Sequence, residues 1–279
     1  MILYIKKLFK TIFPSKRQTP GQQKPCQLAK TLEITGIGSC LTEMVTGYLD
    51  RQLVSQSSQQ RSDVVADFTR GIFPDKDIIS RYLTVGKWPE NKAEYAQWFT
   101  AYTLKKIASS QQIIHDTPDI LILDSLCDIY HHLYEHREKG FKALIGNIAF
   151  DDEATQKAFD NEFKFIGLLT PEQIRDNLRI IFDFFLDKNP ALQIFYMHFP
   201  FAKGYLEPKW LERADALHEV LTPLHQEYHN GFTEISIPPE QIKPITDPAD
   251  PHYSPKIWNH FYPEVYQYFM LEIIKNTNC

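Results

Sequence analysis

The amino-acid sequence predicts an α/β protein, a three-layer α/β/α sandwich around a doubly wound, mainly parallel sheet. Short apolar runs that suit buried strands alternate along the chain with amphipathic helical segments, as they do in parallel sheets. The clearest run lies between Pro118 and Asp124, where four consecutive aliphatic residues suit a strand buried on both faces. The chain has 279 residues, 43% of them hydrophobic, which is enough for the core of one large domain or two small ones.

The first thirty residues differ in composition from the rest. Residues 1–17 combine apolar side chains with several lysines, and a Gln- and Pro-rich linker continues to Lys30. The stretch lacks a small-residue cleavage site, so we do not interpret it as a secretory signal. A basic amphipathic helix on an anionic membrane surface and a helix packed on the domain are both open interpretations. We expect residues 31–279 to form the α/β domain.

Composition excludes several classes of partner. A net charge of −5 and a pI near 6.1 leave no broad basic surface, so we expect no nucleic-acid partner. No stretch of about 18 uncharged apolar residues occurs, so we expect no membrane-spanning helix. The four cysteines form no CxxC pair and suit a reducing compartment. We therefore expect a cytoplasmic protein, with peripheral contact at the inner membrane if residues 1–17 bind lipid. The sequence gives no indication of the oligomeric state.

The individual elements follow from local patterns. Short apolar runs predict strands at residues 32–37, Asp63 to Phe68, Pro118 to Asp124, Leu192 to His198 and Phe232 to Ile237. Apolar residues at helical spacing predict helices at Met44 to Leu53, Glu94 to Ser109, Pro171 to Asp187, Leu206 to His229 and after Pro263. The stretch from Gln56 to Ser62 is predicted to be a polar loop.

A turn after the first strand carries a candidate nucleophile. The predicted strand ends at Gly38, and the next residues, Ser39 and Cys40, open a helix whose first backbone N–H groups have no intrahelical partner. Such groups can stabilise negative charge that develops on a substrate oxygen, so Ser39 is a candidate nucleophile. The alternative is that Ser39 or Thr42 only caps the helix.

A second group of reactive side chains precedes the last helix. Asp247, Asp250, His252 and His260 lie in a Pro-rich stretch between the last strand and Pro263. A carboxylate beside an imidazole can fix the tautomer of the ring and stabilise its protonated form. Because this stretch and Ser39 both follow strands of one parallel sheet, we expect them at the same edge.

The arrangement resembles the SGNH/GDSL hydrolase superfamily, and more closely its bacterial branch that opens with Gly-Ser-Cys. That branch includes GSCFA-type proteins and relatives associated with surface-polysaccharide biosynthesis. Gly38-Ser39-Cys40 matches the opening, and Asp250-Pro-His252 looks like the terminal acid and base. The resemblance implies a serine esterase or O-acetyltransferase that acts on a glycan, needing no cofactor for hydrolysis and using acetyl-CoA for transfer. Ser39 would attack the acyl carbon, and His252 would take its proton.

The chain departs from the family pattern at both parts of the site. The acid stands two residues before His252, so either Asp247 or Asp250 can orient the base, and His260 is a competing base. The Gly and Asn oxyanion donors of the family are not evident. The residues that we expect to contact the substrate or the oxyanion instead are Gly38, Ser57, Asp124 and Ser125.

Cys40 offers another nucleophile. The chain also resembles, in outline, a capsule-biosynthesis acetyltransferase family that opens with Gly-Asn-Cys, which would make Cys40 the nucleophile of a CoA-using enzyme. A helix N-terminus lowers the pKa of a thiol in general and so activates it. The alternative is a structural cysteine that packs on the first turn of the helix. A non-catalytic polysaccharide-biosynthesis protein with a degenerate site, and a membrane-surface adaptor that uses residues 1–17, are rival classes.

The histidines do not predict a metal site. His131, His132 and His136 stand near Asp128 at helical spacing, but no matching third ligand follows in the sequence. We interpret the remaining histidines on the predicted strands and helices as rim or surface residues: His198, His218, His225 and His229.

Overall fold

The computed structural model describes residues 32–49, 54–83, 86–87, 107, 111–143, 149–150, 152–202, 207–229, 231–250 and 260–277. These residues belong to one unit of the chain, Thr31–Asn278. Residues 1–30, His252 and most of the helix predicted from Glu94 to Ser109 lie outside the described residues.

Strands and helices alternate along the described chain. The strands are β1 (Ile34–Gly38), β2 (Val54–Gln59), β3 (Gly86–Lys87), β4 (Ile120–Asp124), β5 (Leu133–His136), β6 (Lys142–Ala143), β7 (Ala149–Phe150), β8 (Phe163–Gly167), β9 (Gln193–Met197) and β10 (Phe232–Ile235). The helices are α1 (Cys40–Tyr48), α2 (Ser62–Thr69), α3 (Lys76–Leu83), α4 (Leu126–Tyr130), α5 (Glu153–Glu162), α6 (Pro171–Lys188), α7 (Pro208–Glu227) and α8 (Pro263–Asn276). Short 3₁₀ turns lie at Ile113–His115 and Pro239–Gln241.

Five parallel strands form the central sheet in the order β10-β9-β4-β1-β2. Every residue of β1 and β4 is buried, as expected for strands covered on both faces. Helices lie on both sides of the sheet. α1 packs against α8, and α6 packs against α2 and α7. The predicted α/β class with a parallel sheet between helices is confirmed, whereas the specific SGNH arrangement stays a prediction.

The strand order creates a crevice at one edge of the sheet. From β1 the chain runs outward to the edge strand β2 and then returns across β1 to β4, beyond which β9 and β10 extend the sheet. The connections therefore diverge between the carboxyl ends of β1 and β4. In open α/β sheets this point of divergence is where ligands bind. It also lies beside Ser39 and Ser125, the residues that directly follow these two strands.

A smaller antiparallel sheet, ordered β6-β5-β8, has an aromatic core of its own. The ring of Tyr82 on α3 meets the rings of Phe159 and Phe163 edge-on, with centroids 5.1 and 5.7 Å apart. Phe159 and Phe163 stack on each other at 4.8 Å. Edge-to-face and offset-stacked arrangements are the favourable geometries of aromatic pairs.

Three local predictions were wrong. Asp63 to Phe68 belongs to helix α2 rather than to a strand. The helix packs against α6, and all of these residues are buried. The polar stretch from Gln56 to Gln59 is part of β2, an edge strand that pairs with β1 through backbone hydrogen bonds, which polar residues can form as well as apolar ones. His131, His132 and His136 share no helix, since α4 ends at Tyr130 and β5 begins at Leu133.

The helix predicted at Met44 to Leu53 begins and ends about four residues earlier, at Cys40–Tyr48, because Ser39 caps it. Several other predicted elements agree more closely with the structure. β4, β9 and β10 and helices α6, α7 and α8 lie where the sequence predicts them, with ends that differ by a few residues. Within the described ranges, none of the helices combines the length and the apolar character needed to cross a membrane.

Candidate functional site

Ser39 joins β1 to α1 and caps the helix. Its backbone is extended, and its Oγ accepts a hydrogen bond from the backbone N–H of Leu41 at 3.1 Å. The same hydroxyl donates to Oδ2 of Asp124 at 2.9 Å. Ser39 is only 3% exposed. The capping role that the sequence left open for Ser39 is therefore present, and its hydroxyl is bound on both the donor and the acceptor side.

Asp124 at the end of β4 gathers the start of α1 around one carboxylate. Its Oδ2 accepts from the backbone N–H of Ser39 at 2.7 Å, from that of Thr42 at 3.1 Å and from Thr42 Oγ1 at 2.6 Å, in addition to the Ser39 hydroxyl. Its Oδ1 accepts from the backbone N–H of Leu126 at 3.0 Å, at the start of α4. Burial raises the pKa of Asp124, while these hydrogen bonds act to lower it. The carboxylate thus occupies the N–H groups that the sequence analysis assigned to an oxyanion.

Gly38 makes this close approach possible. A Cβ atom at position 38 would lie 2.4 Å from Oδ2 of Asp124 and 2.5 Å from Oγ1 of Thr42. Real Cβ atoms do not approach other heavy atoms so closely, so any larger residue would displace the carboxylate. The glycine before Ser39 therefore serves the contact between β1 and β4.

Asp128, one helical turn after Asp124, serves a second helix in the same way. Its Oδ1 accepts from the backbone N–H of Ser62, the first residue of α2, at 2.7 Å. Burial raises the pKa of Asp128 to about 7. We refer to Asp124 and Asp128 as the buried acid pair. Each of the two carboxylates accepts backbone N–H hydrogen bonds from the start of a helix, Asp124 from α1 after β1 and Asp128 from α2 after β2.

A pocket of about 380 Å³ lies beside the start of α1. Cys40, the first residue of α1, lines it together with Asp250 and His260. The aromatic rings of Tyr48 and Tyr266 also line it and stack at a centroid distance of 6.3 Å. We refer to this site as the cysteine pocket. It brings one candidate nucleophile, one candidate base and one candidate acid together.

The backbone around His260 is fixed by its neighbours. The carbonyl of His260 accepts from the backbone N–H of Ile245 at 3.0 Å, and the N–H of Tyr262 donates to the carbonyl of Lys243 at 2.9 Å. The hydroxyl of Tyr266 accepts from the backbone N–H of Phe261 at 3.0 Å. These bonds attach the start of α8 to the segment that follows β10 and so hold His260 at the pocket.

The other predicted site residues lie elsewhere or outside the described parts. Ser125 is buried, and its Oγ accepts from the backbone N–H of Phe199 at 2.9 Å, which fixes the loop after β9. Ser57 lies in β2, and the structure does not describe its side chain. Asp247 is exposed and accepts from the backbone N–H of Ala249 at 2.9 Å within a turn. His252 falls in the undescribed segment 251–259.

Sequence reasoning missed two features of this region. It listed Asp124 only as a substrate contact, although an acid that directly follows a doubly buried strand is well placed to receive a neighbouring helix start. It also missed the tyrosine wall. Tyr48 lies on the face of α1 that packs against Tyr266, and only the contact between α1 and α8 brings the two rings together.

The sequence gives no match to protein-family models and none to curated proteins. Function therefore has to be inferred from the geometry and chemistry of the site.

Proposed function

We propose that this chain is an acyl-transferring enzyme whose nucleophile is Cys40, and that it moves an acyl group from a thioester or ester donor to a hydroxyl acceptor. One observation supports this proposal above others: Cys40, His260 and Asp250 line the same pocket. A thiol, an imidazole and a carboxylate are the groups that nucleophilic acyl transfer requires.

The contrast with Ser39 favours the cysteine. To act as a nucleophile, the Ser39 hydroxyl would have to leave both Asp124 and the N–H of Leu41. Cys40, the first residue of α1, is half-buried and lines the pocket with His260, so its side chain borders the space that a donor would occupy. The esterase that the sequence predicts thus becomes, in this proposal, an enzyme with its nucleophile one residue later.

The first half of the proposed reaction loads the enzyme. His260 takes the proton from the Cys40 thiol, and the thiolate attacks the acyl carbon of the donor. The bond from that carbon to the sulfur or oxygen of the donor breaks, and His260 returns its proton to the leaving group. The acyl group is then held on Cys40 as a thioester. Asp250 would orient the imidazole.

The second half transfers the group. His260 takes the proton from the acceptor hydroxyl, whose oxygen attacks the thioester carbon, and the sulfur of Cys40 leaves and is protonated again by His260. With water as the acceptor, the same steps hydrolyse the donor. The matching Gly38-Ser39-Cys40 opening supports a glycan hydroxyl as the acceptor and acetyl-CoA as the donor. A pocket of about 380 Å³ suits a small acyl group, since sites for small molecules span roughly 300–1,000 Å³.

The test compares adjacent nucleophiles in one assay. Wild type, Cys40→Ala, Ser39→Ala and His260→Ala are assayed for hydrolysis of p-nitrophenyl acetate and for thiol release from acetyl-CoA. We expect Cys40→Ala to lower the rate at least about 10³-fold and His260→Ala to lower it about 10²–10⁴-fold. Ser39→Ala should keep the rate within about tenfold and lower the free energy of unfolding by about 1 kcal/mol through the lost cap.

Mass spectrometry of peptides after brief exposure to acetyl-CoA locates the acyl group. An adduct on the peptide that carries Cys40, absent from Cys40→Ala, supports the proposal. Loss of activity in Ser39→Ala with retention in Cys40→Ala would instead establish the serine esterase. No turnover and no adduct in the wild type would favour a non-catalytic polysaccharide-biosynthesis protein.

A further inference from the structure

Three histidines surround one buried carboxylate at the edge of the central sheet. Glu234 lies in the edge strand β10, His198 directly follows β9, and His218 and His225 lie on α7. The side chain of Glu234 is only 7% exposed. The sequence analysis interpreted all three histidines as rim or surface residues, and neither the buried acid pair nor the cysteine pocket includes them.

Three of the donor atoms converge on one point. Nδ1 of His218 lies 3.2 Å from Nε2 of His198 and 3.1 Å from Oε2 of Glu234. Nε2 of His198 is also in direct contact with Oε2 of Glu234. These atoms all lie within 4.8 Å of one another. Ligands about 2.0–2.1 Å from a tetrahedral ion are about 3.3 Å apart, so the two separations that involve His218 match such a site, and the closer contact between His198 and Glu234 would widen to admit the ion.

Regular structure holds the donors in place. The backbone N–H of His198 donates to the carbonyl of Ile235 at 2.9 Å, which ties the residue after β9 to the end of β10. His218 and His225 are seven residues apart on α7, so they lie two turns apart on the same side of the helix. Sites built on strands and helices keep their geometry better than sites on loops.

Hydrogen bonds among His198, His218 and Glu234 cannot all have ideal geometry at once. If both His198 and His218 donate to the same oxygen of Glu234, both facing ring nitrogens carry a proton although they lie only 3.2 Å apart. If only one of these nitrogens carries a proton, its N–H can point at a single partner. A cation at the point of convergence would instead accept a lone pair from all three atoms at once.

The surroundings also suit a metal ligand. His225 Nε2 lies 2.6 Å from Oε1 of Glu234, so this ring can hold the second oxygen of the carboxylate and leave Oε2 for an ion. Hydrogen bonds of this kind orient ligating carboxylates.

We propose that His198, His218 and Glu234 bind a divalent transition-metal ion of the zinc class, with His225 as the outer support of the carboxylate. Two imidazole nitrogens and one carboxylate oxygen form a zinc donor set that leaves a fourth position to water. The side chain of His218 is 61% exposed, so the ion can enter from solvent on that side.

The test uses the whole chain, produced without a polyhistidine tag and stripped with a chelator. Zn²⁺ is titrated by calorimetry into wild type, His218→Ala, Glu234→Gln, His225→Gln and His115→Ala. We expect one Zn²⁺ per wild-type chain, a loss of at least 100-fold in affinity for His218→Ala and Glu234→Gln, and about 10–100-fold for His225→Gln. His115→Ala, at an exposed histidine of a 3₁₀ turn, should bind like the wild type.

Two further readings separate this site from the cysteine pocket. Saturating Zn²⁺ should raise the melting temperature of the wild type but not that of His218→Ala, whose exposed side chain can be removed without unfolding the chain. The Co²⁺ form should show the visible bands of a tetrahedral ion without a thiolate charge-transfer band. No saturable Zn²⁺ binding by the wild type, equal binding by wild type and His218→Ala, or a thiolate band would each overturn the proposal.

Discussion

Ser39, which is bonded to Asp124 of the buried acid pair, and Cys40, which lines the cysteine pocket, are joined by one peptide bond but differ in burial and in hydrogen bonding. On one side, the hydroxyl of Ser39 is buried and bonded to Asp124 and to the helix start. On the other, Cys40 is half-buried and lines an open pocket with His260. The side chain of Ser39 is used in hydrogen bonds within the turn, whereas the side chain of Cys40 lines a pocket that a ligand can enter.

The difference has a structural origin in Asp124. Its carboxylate uses the N–H groups of Ser39 and Thr42, so the positive end of α1 is neutralised from within the protein. The same bonds join β1 to β4 at the point where the connections of the sheet diverge. The acid pair therefore holds the crevice together, and the cysteine pocket lies against a turn that is already rigid.

The largest expected effect is a difference in stability between two variants, each of which removes one acid: Asp124→Ala in the buried acid pair and Asp250→Ala in the cysteine pocket. Asp124→Ala leaves five donated hydrogen bonds without their acceptor, and we expect it to lower the free energy of unfolding by about 5 kcal/mol. Asp250→Ala, at a half-buried pocket residue, should change that free energy by no more than about 0.5 kcal/mol. Urea unfolding of both variants is the measurement. Equal losses of stability would abolish the distinction between the two regions.

The second effect is a dependence of stability on pH that belongs to Asp128. In the folded chain this carboxyl keeps its proton up to a pKa of about 7, whereas its ordinary value is 3.8. Between these values the folded state binds more protons than the unfolded state, so this group makes stability fall as pH rises. Asp128→Asn removes this titration. The free energy of unfolding of the variant minus that of the wild type should therefore increase by roughly 4 kcal/mol between pH 4 and pH 8.

A neighbour on the same helix provides the control for this titration. Cys127→Ala also alters a buried side chain of α4, but burial raises the pKa of the Cys127 thiol, so it stays neutral over the whole range. Its difference from the wild type should be independent of pH. A constant difference for Asp128→Asn as well would mean that Asp128 does not hold a proton in the folded chain.

The smallest of these effects is steric and compares two glycines, Gly38 and Gly47, whose surroundings the sequence alone does not distinguish. Gly38→Ala places a Cβ atom 2.4 Å from Oδ2 of Asp124, and we expect a loss of about 2 kcal/mol in the free energy of unfolding. At Gly47, on α1, a Cβ atom would meet nothing within 4 Å. Gly47→Ala should therefore stabilise the chain by about 0.5–1 kcal/mol through helix propensity. Thermal unfolding of the two variants should show a lower melting temperature for Gly38→Ala and a higher one for Gly47→Ala. Destabilisation by Gly47→Ala would contradict the steric explanation.

Local signals made several elements predictable. The four aliphatic residues of β4 fix a strand that is buried on both faces. Thr170 and Gln173 form a capping box that flanks Pro171, so the start of α6 is encoded within four residues. The two valines and the phenylalanine of residues 63–68 suit a strand or a helix equally well. Packing on α6 and the acceptor that Asp128 offers to Ser62 decide for the helix.

By itself the sequence determined the alternation of strands and helices and the candidates at the site, because periodicity, caps and residue types act over a few positions. It named Ser39 and Cys40 as alternative nucleophiles, His252 and His260 as alternative bases and Asp247 and Asp250 as alternative acids, without deciding between them. Only the tertiary structure decided that Asp124 takes the hydroxyl of Ser39 while Cys40 shares a pocket with His260. These contacts join residues more than eighty positions apart, and their partners are chosen by strand order and helix packing, which no local pattern encodes.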